Sequence, residues 1–148
     1  MPRKRYETNA DLNNERAVAD IIERQWNCKC MKLSYKDKLD FAVVREGSIK
    51  AWIEVKCRNI KKQLEGDFGY PYERYMISMS KINAGIRLAK ETDKPFFLVV
   101  KFDNGIFYYK PKKEELDLEW GGRWKTQRDA EDMEPVYKFK SSLFKEIK

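Results

Sequence analysis

Asp40 and, fourteen positions further on, the triplet Glu54-Val55-Lys56 are residues whose types and spacing could do chemistry. Residues 49–57 read as a strand. Side chains alternate across a strand, so Ala51, Ile53, Val55 and Cys57 share one face while Trp52, Glu54 and Lys56 share the other. One face suits a core; the other holds a carboxylate and an ammonium. Residues 39–44 read as a second strand, with Leu39, Phe41 and Val43 on one face and Asp40, Ala42 and Val44 on the other. Glu46-Gly47-Ser48 between the two is a hairpin signal. A three-residue loop there pairs Phe41 with Ile53, Val43 with Ala51 and Asp40 with Glu54. Two carboxylates facing each other at about 5 Å repel unless something positive lies between them. A hard divalent cation meets that need. Magnesium in particular binds through one or two carboxylates, substrate phosphate and water, and Lys56 would stand beside it.

Composition removes other chemistries. The 148 residues include no histidine, which excludes Ser-His-Asp triads and His-ligated zinc. There are three cysteines. Cys28 and Cys30 would lie on one strand face and read as small core residues rather than a metal or disulfide site. Lys and Arg (31) exceed Asp and Glu (24), giving a net charge of +7 and a pI near 9.2, a balance suited to a polyanionic partner. Lys56, Arg58, Lys61 and Lys62 fall within seven residues that contain no acid, which reads as a phosphate-contacting rim or a solvated loop. The longest apolar run, residues 96–100, is far too short to span a bilayer, and no signal-like segment follows the basic start. A cytoplasmic protein without membrane contact is expected. The length suits one domain over residues 1–148.

The elements that must position these residues can be read along the chain. Residues 11–26 form a helix opened by an Asn/Asp-rich segment, with Leu12, Glu15, Val18, Ala19, Ile22 and Trp26 along one face. Glu15 interrupts that stripe, either as a first-turn acid favoured by the helix dipole or as a functional group. Residues 28–35 are a further strand. A second helix begins near Ser78 or Ser80, buries Met79, Ile82, Ile86 and Ala89, and carries Lys81 in its first turn. There the dipole disfavours a cation, so Lys81 is a solvent-facing lysine or an anion clamp. Residues 94–102 and 106–110 read as strands around the turn Asp103-Asn104-Gly105, and 136–140 as another. Residues 66–75 form a glycine- and tyrosine-bearing loop that could stack on bases or pack on itself. The acids of 129–134 are a rival metal site or a solvated loop. No repeat or second domain is visible.

Asp40 followed by Glu54-Val55-Lys56 resembles the PD-(D/E)XK nuclease superfamily, which includes Holliday junction resolvases and many phage nucleases. The order of helix, three antiparallel strands, helix and further strand is similar over roughly residues 11–110, and Glu15 and Lys81 fit the family's acid on the first helix and Lys or Gln at the second. Leu39 stands where the family has proline, a position without a chemical role. The resemblance implies an α/β, restriction-endonuclease-like core with a central mixed β-sheet flanked by helices, and residues 111–148 as a C-terminal extension. It implies Mg²⁺, with Mn²⁺ able to substitute, held by Asp40, Glu54 and the Val55 carbonyl, with Glu15 supporting a second ion or a water. Lys56 would position or deprotonate the attacking water. Lys81 and Ser78 would join Arg58, Lys61 and Lys62 in binding nucleic acid. The expected activity is endonucleolytic hydrolysis of DNA, structured or branched DNA among the substrates, leaving a 5′ phosphate and a 3′ hydroxyl. A homodimer is one arrangement such members adopt. The rival readings are a non-catalytic nucleic-acid-binding module that retains the fold, and a carboxylate-metal enzyme acting on small phosphate esters.

Overall fold

The structure is a computed structural model that describes residues 9–34, 39–58, 74–112, 117–121, 134–140 and 143–147. In chain order, α1 (Asn9–Trp26) leads into β1 (Lys29–Lys32), β2 (Phe41–Arg45) and β3 (Ser48–Cys57). Then β4 (Arg74–Ser78) runs into α2 (Met79–Thr92), followed by β5 (Phe96–Phe102), β6 (Gly105–Tyr109), β7 (Asp117–Gly121), β8 (Glu134–Lys140) and β9 (Lys145–Glu146). Six strands form one sheet in the order β1-β2-β3-β5-β6-β9, and β4-β8-β7 form another. β3 and β5 are parallel and all other pairs antiparallel. The central mixed sheet expected from the sequence is therefore present, with α2 inside the crossover that a parallel pair requires.

Strand alternation sorts the side chains of the sheet between the two helices. Ala51, Ile53 and Val55 of β3 join Val99 of β5 in a cluster with Val18, Ala19 and Ile22 of α1. Leu98, Val100 and Phe102 of β5 join Ile82 of α2 on the other face. Leu98, Val99 and Val100 are all fully buried, so β5 is covered on both sides there and is apolar from Phe96 through Val100. Ile77 and Phe139 of the smaller sheet and Phe144 beyond it share the α2-side cluster, and β9 pairs with β6, so the chain after residue 110 contributes to both cores. Gly85 lets α2 approach the sheet: a Cβ there would collide with the ring of Phe96. Among the described residues no helix is long and apolar enough to cross a membrane.

Two anchors set the position of α2 along β3. Trp52, on the same face as Glu54, donates its indole N–H to Thr92 Oγ1 at 3.0 Å, and Thr92 in turn donates to the Leu88 carbonyl at 2.6 Å. The C-terminal turn of the helix is thereby tied to the start of the motif face, and its first turn reaches the other end. Tyr137 of β8 donates its hydroxyl to Asn83 Oδ1 at 2.8 Å and ties the N-terminal half of the helix to the smaller sheet.

Candidate active site

The register that sets the site has a different origin from the expected loop. β2 and β3 are joined by a two-residue turn at Glu46 and Gly47, both with positive φ (53° and 78°), and Arg45 faces Ser48. This would slip the pairing by one, but the register shifts between Val43 and Val44, so that Val43 faces Ala51 and Phe41 faces Ile53 as expected. The shorter loop and the β-bulge cancel. The ladder then stops at Phe41. Leu39, expected beside Phe41 and Val43, is buried in the α2-side cluster instead, because the alternation does not continue past the strand's first residue.

Asp40 is held in this irregular segment by its backbone. Its N–H donates to the Ile53 carbonyl at 3.1 Å and its carbonyl accepts the Leu33 N–H at 2.8 Å, so it bridges β1 and β3. The side chain turns to β3: Oδ2 accepts the Val55 N–H at 2.8 Å. In an extended strand a residue's N–H and C=O project to the same edge, so the Val55 carbonyl projects toward the edge where Asp40 sits.

Glu54 follows on the opposite face of β3 and is fully buried. Its Oε1 takes both neighbouring ammonium groups, Lys81 Nζ at 3.0 Å and Lys56 Nζ at 3.3 Å, while Oε2 is buried with no hydrogen-bond partner. Burial pushes the Glu54 carboxyl above the usual range and the Asp40 charge adds to this, while Lys56 and Lys81 pull it back. For Lys81, burial works against its charge, yet the Glu54 and Asp40 carboxylates outweigh it and the ammonium is held above its ordinary value. These carboxylates also offset the unfavourable dipole at the start of α2. Glu54 was expected to line a polar face without filling the core; it is packed as deeply as the aliphatic residues around it.

α1 contributes the remaining acid through its grip on the sheet edge. β1 is an edge strand, and the outward polar groups of Cys30 are satisfied by helix side chains: Glu23 Oε2 accepts its N–H at 2.7 Å and Arg16 donates to its carbonyl at 3.1 Å. The bond from Cys30, reinforced by the Arg16 charge, holds the Glu23 carboxyl below its usual range. With the helix fixed over β1, Glu15 Oε2 lies 2.8 Å from Lys32 Nζ, and the same ammonium lies 3.3 Å from Asp40 Oδ1. Cys28 and Cys30 are free thiols that pack in the α1-side cluster, consistent with their reading as small core residues.

The structure thus brings together Glu15, Asp40, Glu54, Lys56 and Lys81, and adds Lys32, which the sequence reading passed over. A signal existed: Lys32 has the same strand parity as Cys28 and Cys30, so it places an ammonium on a face otherwise directed at the core. The expected repulsion between Asp40 and Glu54 is answered within the chain, since three carboxylates meet three ammonium groups. Of the other residues, Arg58 follows β3, its backbone N–H donating to Lys101 O at 2.8 Å and its guanidinium to Cys57 O at 3.0 Å. Ser78 immediately precedes α2 as the last residue of β4. Lys61 and Lys62 lie outside the described residues, as do most of the 66–75 loop and of the 129–134 acids.

Among the described residues no group of three or more His, Cys, Asp or Glu side chains is placed to hold a metal ion. Asp40, Glu54 and the Val55 carbonyl nonetheless fit a hard cation that completes its shell with phosphate and water, since all three are oxygen donors and Glu54 Oε2 is a buried oxygen without a partner. The mixed sheet, with an aspartate beside its central strand and Glu-X-Lys on that strand, defines the class of PD-(D/E)XK nucleases. The chain matches, over residues 1–147, the family described as "Phage putative PDDEXK endonuclease", and it belongs to that family. It is also similar to a solved structure from Archaeoglobus fulgidus, Hjc, a Holliday junction resolvase from an archaeal hyperthermophile. The TM-score is 0.55 at 13% identity, covering 91% of this chain and 92% of that one, a likeness of fold. No curated protein matches the chain.

Proposed function

We propose that this PDDEXK-type nuclease is a metal-dependent endonuclease that hydrolyses phosphodiester bonds in DNA, with Asp40, Glu54 and the Val55 carbonyl holding Mg²⁺ or Mn²⁺. The observation that carries the reading is Glu54: a fully buried carboxylate with two lysines on one oxygen and nothing on the other. A carboxylate serving only as an ion-pair partner would use both oxygens, since a buried unpaired oxygen is costly. A bound divalent ion would supply Lewis-acid polarisation of the scissile phosphate and acidify a water.

The chain's own groups supply the rest. Lys56, held at Glu54 and a quarter exposed, orients the attacking water and stabilises negative charge as it develops on the phosphorus-bound oxygens. Lys81, at the start of α2, contacts the phosphate, and the helix N-terminus favours the same charge. The Val55 N–H fixes the Asp40 carboxylate so that its orientation does not depend on substrate. Hydrolysis by this route needs no covalent intermediate, and the resemblance to the family implies a 5′ phosphate and a 3′ hydroxyl as products. Branched DNA is the first substrate class to examine, because the fold is similar to that of a protein named as a Holliday junction resolvase.

The test is Mg²⁺-dependent cleavage of linear, nicked, branched, single-stranded and RNA substrates by the wild type, Glu54→Gln and Lys56→Ala. Gln keeps the volume that the buried Glu54 fills. Either variant should lose about 100-fold or more in rate while keeping the wild-type circular dichroism. Cleavage at wild-type rate in either one would reject this site, and binding without cleavage on every substrate would favour a non-catalytic module.

A further inference from the structure

Lys32 stands between Glu15 and Asp40, 2.8 Å from one carboxylate and 3.3 Å from the other. Its place is fixed from several directions. The β1–β2 register pairs Lys32 with Phe41, next to Asp40 in the chain, and its ammonium lies 5.3 Å from the centre of the Phe41 ring. Glu15 cannot readily swing away, because Arg16 and Glu23 tie the same helix to Cys30, two residues before Lys32. Both carboxylates reinforce the lysine's charge against partial burial.

We infer that Lys32 is a built-in cation, whose ammonium takes the place between Glu15 and Asp40 where a second divalent ion would bridge them, so that the site holds one metal ion, at Asp40 and Glu54. This rests on the metal-dependent reading above. The two halves of the site differ in the way this requires. On the Glu15 side both acids are engaged by one ammonium through charge-assisted bonds, which an incoming ion would have to break. On the Glu54 side a carboxylate oxygen is buried and without a partner. Lys32 is then a positioning residue: it takes Asp40 Oδ1 while the Val55 N–H takes Oδ2, and the carboxylate is held from two directions.

The experiment is Mn²⁺ titration of the full chain without DNA, followed by the electron paramagnetic resonance signal of free Mn²⁺ and by calorimetry. Wild type should bind one ion. Lys32→Met, which keeps the length of the side chain and removes its charge, should bind two, and Lys32→Met/Glu15→Gln one. Glu15→Gln alone should leave one ion with affinity changed by less than about threefold, because Glu15 faces an ammonium and holds no metal. Two ions in the wild type with loss of one in Glu15→Gln would overturn the inference and leave the metal-dependent reading standing. A folded Lys32→Met that still binds one ion at wild-type affinity would also overturn it. If Lys32→Met does not fold, the Glu15→Gln arm decides alone. Absence of Mn²⁺ binding in the wild type, with Asp40→Asn unchanged from it, would sink the metal-dependent reading and this inference with it.

Discussion

Lys81 and Glu54, twenty-seven residues apart in sequence, meet at 3.0 Å between Nζ and Oε1, and the meeting joins the first turn of a helix to the centre of the sheet. Both partners are poorly placed alone: the lysine sits at the positive end of a dipole and the carboxylate is fully buried. Among the described residues the ion pairs of the site set three acids, Glu15, Asp40 and Glu54, against three ammonium groups, Lys32, Lys56 and Lys81, a formally neutral balance. A neutral site would hold a divalent ion through its oxygen donors rather than through net charge, and the phosphate of a substrate would raise the affinity above that of the free protein. On the proposed function, metal and DNA would therefore bind in a coupled way.

Glu54 sets a pH dependence of stability. Its folded value is raised above that of the unfolded chain, so the native state holds the proton more tightly. The contribution of this group therefore favours folding at acid pH and declines as pH rises from about 4.3, the unfolded value, through the raised one. Glu54→Gln should accordingly be more stable than the metal-free wild type at neutral pH, and the advantage should shrink toward pH 4. Lys56 and Lys81 are partly exposed and can hydrate once their partner is neutral. Urea melts of both proteins across that range, in chelator, measure the difference; parallel curves would show that the lysines fully offset the burial of the charge.

Asp40 separates two roles of one carboxylate. Asn can still accept the Val55 N–H but cannot pair with Lys32, a partly exposed ion pair contributing up to about 1 kcal/mol. Ala loses both, and leaves the buried Val55 N–H unsatisfied at a cost of about 1 to 3 kcal/mol. The expected order of metal-free stability is wild type, then Asn, then Ala, read from denaturant midpoints. An Asn variant more stable than wild type would mean that repulsion from Glu54 outweighs the pair with Lys32.

Much of this arrangement was legible in the sequence because alternation and periodicity are local. The polar parity of Glu54 and Lys56, the buried stripe of Val18, Ala19 and Ile22, and the facing of Phe41 with Ile53 all follow from spacing. What was not legible depends on tertiary pairing. The bulge at Val43 and Val44 offsets a turn one residue shorter than expected, and neither feature has a composition signal of its own. β4 has no strand counterpart in the sequence reading, which places 66–75 in a loop, because its partner is β8, far along the chain. Lys32 became significant only when β1 was paired beside Asp40 and α1 was laid across the sheet edge.

Gly85 tests the seating of α2 independently of charge. An Ala in mid-helix gains about 1 kcal/mol in intrinsic propensity over Gly, but its Cβ collides with the buried Phe96 ring, and overpacking of this kind costs typically 1 to 3 kcal/mol. The net expectation for Gly85→Ala is a loss of up to about 2 kcal/mol, with reduced cleavage because Lys81 rides on the displaced helix. A stabilised variant with full activity would show that the ring can move aside at little cost.

The basic residues that follow the motif strand in sequence carry a separate prediction about DNA binding. Arg58 leaves β3 two residues beyond Lys56, with its backbone bonded to Lys101 of β5, and Lys61 and Lys62 follow it within four residues of sequence. If all three touch phosphates, replacing them with Ala should weaken binding to every sequence about equally. The slope of log affinity against log salt should fall in magnitude by up to about 0.9 per lost contact on duplex DNA. The measurement belongs on a Glu54→Gln background in Ca²⁺, where the complex forms without being cut. Cleavage of bound substrate by the triple variant in Mg²⁺ should stay close to wild type if the three residues act through binding alone; Arg58, the one of them among the described residues, bonds to Lys101 and Cys57. An unchanged salt slope would instead assign these residues to a solvated loop and move the phosphate contacts to Lys81 and the start of α2.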